Sequence, residues 1–297
     1  MNQRVDYLAS VNRAIDHVVA NLEQPLALAD VARVAAFSPF HFHRVFQKLV
    51  GETLAAFVRR LRLERALGMM ARAADRDGGP NLTEIALACG FSSSSDFSRA
   101  FKQRYGLPPS AYDLTVHRAH HRDALVDRFP DQRLQRLPPG DNPDGFRVTV
   151  RELPARHIAY IRVLQPYRGG VVEASERMVS WARARKLEGG QWLGYTWDDP
   201  VLVALDDCRY DVGVVLPGPR PPDGEVGVLA LPRLRVAELA IEGPIELEMR
   251  ALDWLYGTWL PDSGAMPDEQ PCFEAWRGLP FGDGTQHFAL ALQLPLR

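Results

Sequence analysis

Apolar residues recur at helical spacing through the first third of the chain. Val11, Ile15, Val18, Val19 and Leu22 follow the three-and-four spacing of a helix that buries one face. The stretch from Leu54 to Ala66 continues this spacing over a longer distance, and clusters of glycine and proline interrupt the pattern at intervals. We therefore predict an all-α region over residues 1–113.

The pattern changes twice after this region. Residues 114–145 lose the helical period and end in Pro138–Gly145, a run of proline, glycine and aspartate that is typical of linkers. From Phe146 onward, alternating runs at residues 147–151 and 158–163 predict strands, with helices predicted over residues 173–185 and 247–259. The pattern predicts a multidomain chain, with an all-α domain (1–113), a linker (114–145) and an α+β domain (146–297).

The first domain repeats itself after about 54 residues. Residues 28–32 match residues 82–86, and residues 42–46 match residues 97–101. Each copy predicts a short helix, a tight turn and a second helix. Gly90 suits a left-handed turn, although the first copy has Ala36 at that place. Ser38 and Ser92 are predicted to cap the two second helices.

Both second helices have one apolar and one polar face. The polar faces carry the candidate DNA-binding residues Phe40, His43, Arg44, Gln47 and Lys48 in the first copy, and Ser94, Ser95, Ser98, Arg99 and Lys102 in the second. A helix that enters a major groove needs this division, because one face packs and the other offers hydrogen-bond donors. Arg44 and Arg99, at matching positions, suit bidentate contact with guanine or phosphate. A plain helical bundle with a solvated polar face is the alternative, and the agreement of two copies disfavours it.

Residues 27–113 resemble the DNA-binding domain of the AraC/XylS family of bacterial transcription regulators. The resemblance rests on Ile85-Ala86 followed by Cys89-Gly90-Phe91-Ser92, and on the Gly-x-x-Pro-x-x-Tyr pattern of residues 106–112. It implies two helix-turn-helix units joined by a long helix, with both second helices in successive major grooves. The positions that match the family's base-facing residues are Phe40, His43, Arg44, Ser94, Ser95, Ser98 and Arg99. The serines are short, so weak or water-mediated base contacts are expected in the second unit.

The second domain also repeats, after about 78 residues. Leu153-Pro154 pairs with Leu231-Pro232, and Trp181 pairs with Trp259. Each copy predicts strand, helix, strand, strand, and two such copies can join edge to edge into one curved sheet with a small-molecule site between them. The candidate ligand-binding residues are Tyr160, Trp192, Trp197, Glu238, Glu274 and Trp276.

An aromatic wall with a carboxylate favours a flat, apolar cation through ring stacking, cation–π attraction and charge pairing. Two alternatives stay open at this point. The tryptophans could serve as core residues, and an alternating strand could point Glu238 at solvent.

Residues 146–297 resemble the GyrI-like ligand-binding domain, which is built from two such copies. The matching pieces are residues 194–200, Cys208-Arg209-Tyr210-Asp211-Val212 and Pro271-Cys272-Phe273-Glu274. The resemblance implies that Glu274 faces a central pocket. It also leaves an enzymatic alternative, because some GyrI-like domains are hydrolases of strained electrophiles, and Glu274 could then act as a general base.

Composition and charge narrow the possible classes of protein. The 297 residues are 46% hydrophobic with a net charge of −2, which excludes a disordered or fibrous chain. No run of 18 apolar residues occurs, so no membrane partner is expected. Basic residues are in excess over residues 1–112 and acidic residues over 146–297, which is consistent with a polyanion partner for the first domain alone.

Other site chemistry finds no support in the sequence. The three cysteines are far apart and without CxxC spacing, which predicts reduced thiols, a cytoplasmic location and no zinc site. His117, His120 and His121 are interpreted as a solvated run in the linker. No nucleophile stands beside a base at a recognisable spacing, so we expect no enzyme, no cofactor and no metal.

Together these patterns predict a one-component transcription regulator. Its partners would be double-stranded promoter DNA, a hydrophobic effector that is aromatic or cationic, and RNA polymerase. The alternatives are a GyrI-like hydrolase with an accessory DNA-binding domain, and a DNA-binding protein whose second domain docks another protein.

Overall fold

The computed structural model describes residues 3–73, 81–128, 137–138, 140–268, 270–282 and 284–297, with side chains from Tyr7 onward. The chain divides into an N-terminal unit, Met1–His121, and a C-terminal unit, Arg122–Arg297. Each is described separately below.

The N-terminal unit is helical, as the apolar spacing predicted. Its helices are α1 (Gln3–Ala20), α2 (Leu28–Val34), α3 (Pro39–Val50), α4 (Leu54–Ala73), α5 (Leu82–Ala88) and α6 (Ser94–Tyr105). The pairs α2–α3 and α5–α6 are the two copies, and α4 connects them. Fully buried phenylalanines of α3 and α6 pack against α4, and they give each copy its own small core.

The turns inside the two copies have the same unusual backbone conformation. Ala36 has a φ of 60° and Gly90 a φ of 81°, both in the left-handed region. In the second copy a Cβ on Gly90 would lie 2.6 Å from the backbone oxygen of Leu22, so glycine is required by space as well as by φ. Ala36 is exposed, so its side chain meets no such obstacle and the left-handed backbone strain is its cost.

The caps of the second helices agree with the prediction in one copy only. Ser38 caps α3, and its hydroxyl accepts a hydrogen bond from the backbone N–H of His41. The predicted cap Ser92 was wrong, because Ser93 accepts from the N–H of Asp96 at 3.1 Å. The second copy has one more residue in its turn, so α6 begins one position later. Ser92 instead donates to the Asp96 carboxylate.

The predicted linker is helical in its first half. Helix α7 runs from Leu114 to Arg128, and the Asp113 carboxylate accepts from the N–H groups of its first turn. The interpretation of His117 as solvated was wrong: it is 7% exposed, and its Nδ1 lies 2.6 Å from the Tyr112 hydroxyl. His117 occupies a core position that an apolar residue usually fills. The sequence of this helix therefore lacks one of the apolar residues by which helical spacing is recognised.

The C-terminal unit contains one antiparallel sheet of eight strands. The strands are β1 (Val148–Leu153), β2 (Arg156–Leu164), β3 (Trp192–Thr196), β4 (Arg209–Leu216), β5 (Gly227–Leu231), β6 (Leu234–Gly243), β7 (Phe273–Trp276) and β8 (Phe288–Leu296). The helices are α8 (Val171–Arg183), α9 (Ile245–Trp254) and α10 (Leu260–Ser263), and a π-helical turn, Leu255–Trp259, joins the last two. The duplicated β-α-β-β arrangement is confirmed as β2-α8-β3-β4 and β6-α9-β7-β8.

Strand pairing joins the two copies into one sheet. The order is β1-β6-β8-β7-β3-β4-β2-β5, so β3 and β7 form the seam, with Gly194 opposite Glu274. Strand β1 pairs with β6 and β5 pairs with β2, so each short outer strand lies on the edge of the other copy. Helices α8 and α9 cover one face of the sheet with the larger apolar cluster, and the opposite face holds a second cluster.

Candidate functional site

Helix α3 presents its predicted polar face to solvent. Phe42 and Phe46 are fully buried on the inner side. On the outer side Phe40 is 74% exposed, and the Arg44 guanidinium lies 5.9 Å from the centre of its ring. The remaining candidates of this helix are exposed or, for His43, partly exposed: His43, Gln47 and Lys48.

Helix α6 repeats this division. Phe97 and Phe101 are buried, while Ser95, Arg99 and Lys102 are exposed. Ser94 and Ser98 are partly exposed. The ten sequence-predicted residues therefore lie on the outward faces of two helices at equivalent places in the two copies.

A cleft of about 460 Å³ between the two copies was not predicted. Its lining includes His43 of α3, Arg59 and Arg62 of α4, and Asp96 of α6. Arg62 donates from Nε to the Leu22 carbonyl at 3.0 Å and from Nη2 to the Gln24 carbonyl at 2.8 Å, and burial lowers its pKa. This arginine fastens the segment after α1 to α4.

The six predicted ligand-binding residues are divided between the two faces of the sheet. Successive side chains of a strand point to opposite faces. Trp192, Glu274 and Trp276 lie on the face that α8 and α9 cover, whereas Tyr160, Trp197 and Glu238 lie on the other. The structure therefore does not bring the six together in one site.

Glu274 is at the centre of the helix-covered face, on the seam. Its Oε2 accepts from the Tyr210 hydroxyl at 2.6 Å and from the Trp276 indole N–H at 2.9 Å. Gly194 leaves the space for this arrangement, because a Cβ there would overlap the Tyr210 hydroxyl and the Glu274 carboxylate. Burial raises the pKa of Glu274, and the two hydrogen bonds act in the opposite direction. Burial and the nearby Glu274 raise the pKa of Tyr210.

Sequence reasoning missed Glu248, a second carboxyl near this group. It is only 8% exposed on α9, and burial followed by the charge of Glu274 raises its pKa. A signal was present, since Glu248 shares helical spacing with the fully buried Ala251 and Leu255. Burial raises the pKa of Cys272 too, with contributions from both glutamates.

On the opposite sheet face, the predicted residues are engaged by the protein itself. The Trp197 indole N–H donates to Asp211 at 2.7 Å, and Arg162 makes two hydrogen bonds to the same carboxylate. Glu238 pairs with Arg151 at 2.7 Å and accepts from Gln293 at 2.6 Å. Tyr160 is fully buried.

Trp192 and Trp276 are both buried on the helix-covered face, in different settings. Trp192 donates its indole N–H to the Glu188 carbonyl. Trp276 packs against Phe281 and Phe288, and its N–H points at Glu274. Glu274 itself is partly exposed, whereas Trp276 is buried.

Two further properties concern only the part of the chain that the structure describes. It contains no group of three or more histidine, cysteine or acidic side chains arranged to hold a metal ion. Its helices are all too short or too polar to cross a bilayer.

Comparison with known protein families matches both units. Residues 146–297 match the GyrI-like small molecule binding domain, and residues 31–114 match a helix-turn-helix domain. A DNA gyrase inhibitor of Edwardsiella ictaluri is 30% identical over 165 residues, which cover 51% of this chain and 99% of that protein.

The helix-turn-helix region has relatives among regulators. The uncharacterized HTH-type transcriptional regulator YbfP of Bacillus subtilis is 36% identical over 106 residues, which cover 36% of this chain. The match spans about a third of YbfP.

Solved structures resemble single units of the chain. An AraC-type regulator from Chromobacterium violaceum has a TM-score of 0.30 at 28% identity, covering 34% of this chain and 86% of that one. The EcmrR C-terminal domain has a TM-score of 0.39 at 13% identity, and the match covers 51% of this chain and 98% of that domain. By its sequence matches, the chain belongs to the family of GyrI-like small molecule binding domains, and an AraC-type helix-turn-helix domain precedes that domain.

Proposed function

We propose that this chain is a one-component transcription regulator of the cytoplasm. Helices α3 and α6 enter successive major grooves of a promoter, and the C-terminal unit binds a hydrophobic aromatic cation. The observation that carries the proposal is the pair of matched outward faces, with Arg44 and Arg99 exposed at equivalent positions.

The chemistry of the two faces suits DNA. Arg44 and Lys48 on α3, and Arg99 and Lys102 on α6, offer cations to phosphates and donors to base edges. Phe40 is a large exposed ring that can contact thymine methyl groups. The serines of α6 make fewer direct contacts, so we assign most of the sequence discrimination to α3.

A selection of bound sequences from random DNA, followed by substitution of the arginines, tests this part. Arg44→Ala or Arg99→Ala should weaken binding to the selected sequence by about 1–3 kcal/mol if the arginine contacts a base. Arg33→Ala is the matched control, because Arg33 is an exposed arginine of α2 whose one ion pair among the described residues is with Asp30. Equal losses on selected and random DNA would reassign the arginine to phosphate contact, and no binding to any DNA at low salt would overturn the proposal.

The effector site centres on Glu274. A cation beside this carboxyl favours its ionised form, which the Tyr210 hydroxyl and the Trp276 N–H already stabilise by hydrogen bonds. Trp276 adds an aromatic surface for stacking. Glu274→Gln should weaken binding of benzyltrimethylammonium far more than binding of its neutral carbon isostere, neopentylbenzene. Equal losses for both ligands would remove the counter-ion role.

The regulators among the relatives of the N-terminal unit favour this function over the hydrolase alternative. Turnover of small strained electrophiles by the full chain, lost in Glu274→Gln, would reverse that preference. Contact with RNA polymerase stays a prediction from the family resemblance.

A further inference from the structure

Helix α9 carries a buried carboxyl that the protein does not pair. Glu248 is 8% exposed, and within the part of the chain that the structure describes no hydrogen bond or ion pair reaches it. Its carboxyl oxygens are not among the fully enclosed side-chain atoms that lack a partner, so they reach solvent-accessible space. A ligand in that space can therefore supply the partner that the protein does not.

The position of Glu248 shows where such a partner would lie. It occupies the inner side of α9 with Ala251 and Leu255, against the sheet face that also presents Glu274 and Trp276. Strand β7, which carries Glu274, is separated from β6 beneath α9 by β8 alone. Neighbouring strands lie about 4.8 Å apart, so side chains from α9 and β7 converge over β8.

The electrostatic interactions agree with this placement. After burial, the charge of Glu274 raises the pKa of Glu248, and both glutamates raise the pKa of Cys272. The pKa of Tyr167 is raised by burial, then by Cys208 and Asp199, and then by the two glutamates. After burial, both glutamates also raise the pKa of Tyr210. The groups that the two glutamates affect are hydroxyls and a thiol, and Cys208 and Asp199 act on Tyr167 as well. No cation is among the groups acting on Glu248.

The two carboxyls are not equivalent. Glu274 accepts two hydrogen bonds on one oxygen, which prepares it to bear a negative charge. Glu248 has no donor and lies near another carboxyl, so burial and that neighbour raise its pKa, and a positive charge beside it would favour its ionised form. A ligand with a single positive charge pairs with Glu274 and leaves Glu248 without a partner.

We propose that Glu248 is a second binding position for a positive charge, so that the preferred effector of the Glu274 site is an aromatic dication. This inference rests on the proposed effector-binding function and adds the ligand class. The two charges of the ligand would lie at opposite ends of its aromatic body, one at Glu274 and one at Glu248. Ionisation of both carboxyls would release more protons to solvent than binding of a monocation.

Titration calorimetry with two matched ligands tests this. Benzyltrimethylammonium carries one charge on a benzene ring, and para-xylylene-bis(trimethylammonium) carries two on the same ring. The dication should bind the full chain about tenfold or more tightly than the monocation. Glu248→Gln should remove that advantage and leave monocation affinity unchanged. Glu246→Gln, on the first turn of the same helix, is the control and should change neither.

Proton release gives a readout that needs no variant. Calorimetry in buffers of different ionisation enthalpy should show more protons released by the dication than by the monocation. Equal proton release by the two ligands would overturn the role of Glu248 and leave a monocation site intact. The same conclusion would follow if Glu248→Gln left the ratio of dication to monocation affinity unchanged. If neither ligand binds, or if Glu274→Gln leaves monocation affinity unchanged, the effector function itself fails and the inference fails with it.

Discussion

The two units both arise from an internal repeat, and they use it in opposite ways. In the N-terminal unit the copies have separate cores, and helix α4 joins them. Each copy therefore retains its own outward face, and the unit has two equivalent surfaces. In the C-terminal unit the copies pair through β3 and β7, and the result is one sheet with a single seam, where the proposed effector site lies. The element that joins two copies decides whether a repeat yields two sites or one.

Individual side chains compared between the copies of each unit show the same contrast. Arg44 and Arg99 occupy equivalent positions in separate copies, where nothing prevents both from having the same role. Gly194 and Glu274 face each other across the seam, where there is room for only one large side chain. A central site in a fused sheet thus requires the two copies to diverge, whereas separate copies can remain alike.

The largest effect is expected where the turns of the two helical copies differ. Gly90→Ala should destabilise the N-terminal unit by about 2–5 kcal/mol, because left-handed strain adds to contact with the immobile Leu22 oxygen. Ala36→Gly should change stability by less than about 1 kcal/mol, since it relieves strain but adds flexibility. Urea unfolding followed by far-UV circular dichroism measures both. Equal effects would mean that the two turns are equivalent after all.

The next effect is a pH dependence of the stability of the C-terminal unit, and it arises from Glu248. The unfolded chain ionises Glu248 at its ordinary pKa, whereas the folded chain retains the proton to higher pH. Between these two values the folded state binds more protons, so its stability falls as pH rises. The loss is at most about 1.4 kcal/mol per pH unit within that window.

The Glu248→Gln variant should lack this dependence, so its stability relative to the natural chain should increase with pH. Tryptophan fluorescence reports this unit selectively, because all six tryptophans lie in it. Parallel curves for the two proteins from pH 5 to 8 would contradict the raised pKa.

A smaller loss is expected at the seam. Gly194→Ala should destabilise the C-terminal unit by about 2 kcal/mol, because the new methyl group displaces the Tyr210 hydroxyl and the Glu274 carboxylate, both of which can shift. Gly189→Ala is the matched control, since nothing lies within 4 Å of its Cβ position. The same fluorescence measurement applies, and a Gly194→Ala protein as stable as the control would show that the seam is not tightly packed.

The smallest effect distinguishes two neighbouring serines. Ser93→Ala should cost about 1 kcal/mol, because the Asp96 N–H loses its cap, while Ser92→Ala removes only an exposed side-chain contact. Thermal unfolding by circular dichroism compares the two. A larger loss at Ser92 would restore the cap that alignment with the first copy predicted.

The sequence predicted those features that depend on local pattern. Apolar spacing and the two repeats gave the helices, the strands and the β-α-β-β order, because each element buries a face of its own residues. Helix α7 was missed because His117 fills a core position with a polar side chain. The cap at Ser93 was missed because one inserted residue shifts a helix start without changing the pattern around it.

The division of the effector candidates required the tertiary structure. Strand alternation separates neighbours such as Glu274 and Phe273, but only the packing of α8 and α9 shows which face is covered. Glu248 comes from a different element than Glu274, and no spacing along the chain relates them. That Glu274 and Trp276 share one face of the sheet could be predicted, because they lie two residues apart on one strand.

The exchanged outer strands have a consequence for biosynthesis. Strand β1 leaves the ribosome first, but its partner β6 follows about 90 residues later, since Val148 pairs with Leu239. At roughly 5–20 residues per second, β1 waits about 5–20 s with its edge open. Arg147, Arg151 and Glu152 place charges on and beside this strand, and such charges discourage aggregation of a nascent chain during the delay.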